Sequence, residues 1–195
     1  MTKLKPSIRK IAVIIGAVLV VLGLLLFVGF EINIETAIKQ NAKDLISIKT
    51  LLPKEQGAVL EEKSDNNMPI LSVNETDFIG ILRMPKYQLE LPVCAHFGAI
   101  YNHPCLFDGS IYDRTIQIGG SSQKGQFDFY REISIGDNLT FTDALGNSYT
   151  YAVTNLYYEK NASPTTITKK NADLTLFIKN IYAFEYLIVC CDVLS

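Results

Sequence analysis

Residues 78–93, FIGILRMPKYQLELPV, hold two short apolar runs, Phe78 to Met84 and Leu89 to Val93, parted by Pro85, Lys86, Tyr87 and Gln88. Runs of that length, rich in Ile, Leu and Val and bounded by a turn, predict two β-strands. The same texture continues downstream. TIQIG (115–119), DNLTFTD (137–143), SYTYAVTNLYY (148–158), DLTLFI (173–178) and EYLIVCCDV (185–193) are rich in β-branched and aromatic residues. Turn signals separate them, including Ile135-Gly136-Asp137 and the hairpin loop Asp143-Ala144-Leu145-Gly146-Asn147. A short turn at 126–133 is the only helical signal between them. Residues 77–195 therefore predict a mainly β domain of seven to eight strands, a small closed barrel or a sandwich.

Upstream the pattern changes twice. Residues 53–76 are polar, acidic and turn-rich and predict a linker. Before it, Ile34, Ile38, Leu45, Ile48 and Leu52 recur at helical spacing, and Pro53 closes the run. A juxtamembrane helix over 31–52 follows, either a stalk or a helix packed on a partner or on its own domain; the stalk is the simpler reading. Residues 11–30 carry no charge and are dominated by Ile, Val, Leu and Phe. Twenty residues at about 1.5 Å each span about 30 Å, the thickness of a bilayer core. Lys3, Lys5, Arg9 and Lys10 precede the run in a basic tail, 1–10. No small-residue cleavage pattern ends it, which favours an uncleaved anchor over a signal peptide. The positive-inside rule then places the N-terminus in the cytoplasm and the C-terminal domain outside, in a single-pass topology.

The chain of 195 residues is 48% hydrophobic and 19% charged, which excludes a disordered chain and favours one folded domain. Four basic residues sit in the tail; the other 14, against all 20 acidic residues, leave −6 beyond Lys10. An acidic domain argues against nucleic acid as a partner. Phosphate-binding loops, dinucleotide fingerprints and HExxH-type motifs are absent, so no cofactor is implied.

Four segments in order resemble the sortases. Phe78-Ile79-Gly80-Ile81-Leu82-Arg83-Met84-Pro85-Lys86 with Leu89-Glu90-Leu91-Pro92-Val93 is similar to the family's opening strands. Asp108-Gly109-Ser110 followed by Thr115 to Ser121 resembles the segment that carries its catalytic histidine. Phe129 to Leu139 resembles the next stretch, and Leu174-Thr175-Leu176 with Glu185 to Val189 resembles the strand pair bearing its cysteine and arginine. The resemblance covers 77–195 and implies a closed sortase-like β-barrel. Sortases are cysteine transpeptidases, mostly of Gram-positive bacteria, that join surface proteins to cell wall or pilus. Their chemistry needs a thiolate nucleophile, a histidine for proton transfer and an arginine for the oxyanion. The matching positions here are Ser121 for histidine, Lys179 for cysteine and Tyr186 for arginine. All three are replaced, so the resemblance implies the fold without the usual reaction.

Other chemistries stay open. Ser121 and Lys179 would face each other, and a Ser/Lys dyad is a known nucleophile–base pair if the lysine is desolvated. Glu185 beside the site would oppose that by favouring the charged lysine. Cys190 and Cys191 occupy adjacent strand positions, so one faces the core and one faces out; Cys190 is the late candidate for a misplaced nucleophile. Cys94, His96, His103 and Cys105 form C-x-H-x6-H-x-C, which across a hairpin would suit a four-coordinate metal or a Cys94–Cys105 disulfide. The resemblance instead makes this stretch a connection with a helical turn and its cysteines unrelated thiols. The expectation is a membrane-anchored, extracytoplasmic, sortase-like binding or scaffold module without catalysis, meeting sorting-signal peptides or surface and pilus proteins. The alternative is a Ser121/Lys179 peptidase or transpeptidase on the same signals.

Overall fold

A computed structural model of the chain describes residues 6–58, 67–98, 100, 102–160 and 172–194. Residues 1–5 of the basic tail and 59–66 of the expected linker lie outside the described residues. The chain divides into two compact units, Met1–Thr36 and Ala37–Ser195.

Helix α1 runs over Pro6–Leu51. Its proline sits in the first turn, where the missing N–H costs nothing. The first unit holds the apolar run, whose side chains from Ile11 to Phe30 are exposed. This helix is long and apolar enough to cross a membrane, with a mean hydropathy of 3.3 in its most apolar stretch.

Among the described residues of the second unit ten strands form one sheet: β1 (Gln56–Gly57), β2 (Leu71–Val73), β3 (Thr76–Met84), β4 (Leu89–Cys94), β5 (Cys105–Asp108), β6 (Ile116–Ser121), β7 (Asn138–Asp143), β8 (Asn147–Lys160), β9 (Leu174–Lys179) and β10 (Glu185–Val193). Eight of them close a barrel. The hydrogen-bonded circuit runs β3-β4-β5-β6-β9-β10-β8-β7 and returns to β3. The β4–β5 and β6–β9 pairs are parallel, the rest of the circuit antiparallel. Closure removes free sheet edges. The two strands outside the circuit, β1 and β2, fall within the segment read as a linker: β1 lies parallel to β8, and β2 pairs with β3. The four-residue β5 was not foreseen either.

Alternation along each strand sends one set of side chains inward. Leu82, Met84, Ile116, Ile118, Phe127, Phe141, Tyr151, Leu176 and Val189 make the barrel core. A second layer lies outside the sheet, where Ile48 of α1 packs with Val73, Phe78, Ile81, Cys94 and Cys105, flanked by Leu45 and Leu52. Burying Ile48 contributes about 1.5–3 kcal/mol. The end of α1 is therefore more than a stalk: residues 37–51 continue the helix and dock on their own domain.

The docked face is polar at its centre. Buried positions on it are Ala37, Asn41, Asp44 and Ile48, spaced by four, three and four. Asp44 accepts hydrogen bonds from Gln40 Nε2 at 2.9 Å and from Asn74 Nδ2 at 2.8 Å, and its Oδ2 lies 3.4 Å from His103 Nε2. Asn41 Nδ2 donates to the carbonyls of Ala37 and Asn102, so its Oδ1 accepts from His103 Nδ1 at 2.7 Å. That bond places a proton on Nδ1. Burial pushes the His103 pKa below 6.5, against the pull of Asp44. The folded state then binds this proton less readily than the unfolded chain. The stability due to His103 is full above pH 6.5 and is lost as pH falls from there toward the lower folded value. The urea midpoint of the full chain in detergent is expected to start falling below that pH, and His103→Gln should flatten that part of the profile.

Candidate functional site

Strands β6 and β9 run parallel and end together, and β10 begins at the same end beside β9. Their register sets Ser121 opposite Lys179, and Lys179 opposite Tyr186. Paired residues share a face of the sheet, so these three positions form one row on the barrel's outer side. The sequence named the same three.

The three side chains of the row have unlike surroundings. Ser121 is wholly buried, and among the described residues its Oγ has no hydrogen-bond partner, Lys179 included. Its backbone is enclosed by the following turn: Ser121 N donates to Gln126 Oε1 at 3.1 Å, and its carbonyl accepts from Phe127 N at 3.2 Å. Gln126 Nε2 donates in turn to the Ile100 carbonyl at 2.9 Å. Lys179 is partly exposed. Glu185 takes a hydrogen bond from Asn180 Nδ2 at 2.9 Å within the β9–β10 turn. Tyr186 lies against a small cluster of Phe177, Ile188 and Cys190.

Aromatic rings occupy the same face one pleat inward. Phe177, two residues before Lys179, pairs in register with Gly119 of β6. A Cβ on Gly119 would meet the Phe177 ring at 2.4 Å and Phe97 at 2.8 Å, so glycine there makes room for both. Phe107 stands edge-on to Phe177 and to Phe97, with centroids at 5.0 and 4.9 Å. Sequence reasoning missed Phe97, Phe107 and Gln126. The period-2 rule could have put Gly119 and Phe177 beside the row, but Phe97 arrives from a distant connection. At the rim, in the β9–β10 turn, Tyr182 and Phe184 are 82% and 88% exposed.

The cysteines lie elsewhere. Cys190 and Cys191 face opposite sides of β10, in different clusters, yet both are buried. Cys191 faces the barrel core and Cys190 the outer side, as strand alternation predicts, and Phe177, Ile188 and Tyr157 cover the outer one. Burial also pushes the Cys191 thiol well above its usual pKa. Cys190 stands four residues beyond Tyr186, about 13 Å along the strand; it is no part of the row.

Cys94 and Cys105 are register partners across the parallel β4–β5 bridge, not across a hairpin. The described residues between them are bends at 95–98 and 103 and turns at 100 and 102. The two histidines diverge: His96 is 79% exposed, with Asp77 at 3.6 Å, while His103 is buried against Asn41. The four side chains do not converge on a point that could hold a metal, and no such group occurs among the described residues.

No protein-family model matches the sequence, and no curated protein matches it. Solved structures do match the fold. Sortase C from Clostridium perfringens, in a structure with the C-terminal cell wall sorting motif, is 15% identical with a TM-score of 0.53, over 84% of this chain and 88% of that one. Sortase C1 from Streptococcus agalactiae is 19% identical with a TM-score of 0.52, over 64% and 71%. Sortase C1 from Streptococcus suis is 16% identical with a TM-score of 0.50, over 60% and 73%. With the closed eight-stranded barrel and the long apolar helix before it, these likenesses establish that the chain has the sortase fold.

Proposed function

We propose that the chain is a single-pass membrane protein, its N-terminus cytoplasmic, whose extracytoplasmic barrel binds sorting-signal peptides or surface and pilus proteins without processing them. The observation that carries this reading is the row Ser121–Lys179–Tyr186, which holds no thiol, imidazole or guanidinium. A buried Ser121 Oγ with no hydrogen bond among the described residues supports it, since a serine nucleophile needs a base in contact. The exposed Tyr182 and Phe184 at the rim supply what a binding surface needs, since aromatic anchors dominate peptide recognition. The sorting motif seen with the Clostridium perfringens sortase C indicates the class of partner.

The register of Ser121 with Lys179 favours a second reading, a Ser/Lys peptidase, and one experiment separates the two. Full-length chain in detergent is mixed with sorting-signal peptides and an amine acceptor. Mass spectrometry follows cleavage and transfer, and fluorescence anisotropy follows binding. The expected result is binding without product, weakened about tenfold or more by Tyr182→Ala with Phe184→Ala. Product that disappears in Ser121→Ala and in Lys179→Ala would establish the enzyme instead. Neither binding nor product would remove the peptide-binding reading.

A further inference from the structure

Cys94 closes β4 and Cys105 opens β5, and both are buried beneath the docked end of α1. Their Sγ atoms lie 2.8 Å apart. Unbonded carbon atoms settle at about 3.5–4.0 Å, and sulfur is the larger atom, so this is a very close approach. Register partners on neighbouring strands also have Cα atoms within the 4.4–6.8 Å, roughly, that a disulfide spans. Each thiol has a backbone carbonyl besides its twin, Pro104 for Cys94 at 3.4 Å and His103 for Cys105 at 3.3 Å. Cys190 and Cys191, on opposite faces of β10, have no such geometry.

We propose that Cys94 and Cys105 are an oxidation site, joined as an intrachain disulfide by a disulfide-bearing thiol oxidant outside the cytoplasm. The two thiols give up two protons and two electrons. One S–S bond forms between them, and the oxidant's own disulfide is reduced to two thiols. The compartment, and only that, rests on the topology proposed above.

The bond closes the neck of residues 95–104, and this connection reaches both functional regions. Phe97 lies edge-on to Phe107 and near Phe177, and the Ile100 carbonyl receives Gln126, whose other amide atom holds the Ser121 backbone. The Asn102 carbonyl and the His103 ring hold Asn41 of the docked helix. Clamping the neck fixes the helix and the floor of the row together. The hydrogen bond shared with Cys105, and burial, hold the Cys94 thiol far above its ordinary pKa. Attack through a thiolate is therefore slow in the folded protein. The bond forms while the chain folds and afterwards resists reductant until the chain unfolds.

The test uses the full chain in the membrane of a host with an oxidising exterior. Thiols are blocked by an alkylating reagent under denaturing conditions, and linked peptides are mapped by mass spectrometry. The expected result is a Cys94–Cys105 cross-link, with Cys190 and Cys191 alkylated. Four alkylated cysteines in a domain that added protease digests from outside would overturn the disulfide while sparing the topology. A domain shielded from that protease would remove the topology. The pair is then judged on purified full chain refolded with oxidised glutathione, where the 94–105 bond supports the proposal and scrambled bonds overturn it. Reducing the wild-type protein during unfolding should lower its midpoint by about 6–10 °C. Cys94→Ala with Cys105→Ala should make the midpoint indifferent to reductant, and an equal response in that variant would also overturn the proposal.

Discussion

Gly80→Ala is expected to unfold the barrel, leaving a full-length chain without a cooperative thermal transition, or to lower its midpoint by about 8–16 °C or more. A Cβ at this position would stand 2.1 Å from the Thr142 carbonyl oxygen and 2.9 Å from the Phe141 ring. The oxygen cannot retreat. Gly80 pairs with Val93 on one side and Asp143 on the other, and β7 is itself tied to β8. A shift of β3 away from Thr142 would press on β4 and open the circuit that closes the barrel. Overpacking commonly costs about 1–3 kcal/mol where neighbours can adjust. With two backbones fixed in ladders the cost reaches about 4 kcal/mol or more, against a typical stability of about 5–15 kcal/mol. Gly98→Ala is the control: nothing lies within 4 Å of its added Cβ, and its midpoint should match the parent's. Circular dichroism on both variants in detergent decides the matter. A Gly80→Ala protein that melts like Gly98→Ala would show that β3 and β7 are less tightly joined than the structure has them.

Gly80 also shows why part of this fold could be read from the chain. It lies in the Phe78–Lys86 segment that carried the likeness to sortases. The physical reason for its glycine is an approach to β7, about sixty residues on, that no local pattern displays. Strand composition gave seven elements, because β-branched runs and turn residues are local signals. Closure depends on the parallel β6–β9 pair and on β3 meeting β7, which are contacts between distant segments. Strand β5 was missed because four residues, Cys105–Asp108, are too few to establish alternation. The row Ser121–Lys179–Tyr186 was legible through the resemblance, which supplied the register that spacing alone lacks. Gln126 and Phe97, which enclose and pave it, carry no chemical signature and acquire meaning only from where the chain returns.

The docked helix is the harder case, and the second large effect belongs to it. Ile34, Ile38, Leu45, Ile48 and Leu52 give an apolar stripe, but the most enclosed charged group on the helix is Asp44, 1% exposed. A carboxylate at helical spacing among aliphatic residues reads as the solvent side, since ionised groups are rarely buried without partners. Its partners, Asn74 and His103, come from 30 and 59 residues away. Asp44→Ala should therefore cost about 3 kcal/mol, because it leaves the Asn74 and Gln40 amides without the carboxylate they both donate to. Asp44→Asn, which keeps one acceptor oxygen, should cost less. A local loss differs from a global one in hydrogen exchange: amides in 37–51 should exchange much faster, while β6, β9 and β10 keep their protection. Combining Asp44→Ala with His103→Ala should cost less than the two single losses added, because they share one buried contact. Strict additivity would mean that the two side chains do not interact. The docking of residues 37–51 would then rest on Ile48 and its apolar neighbours, the part of the helix that the sequence already displayed.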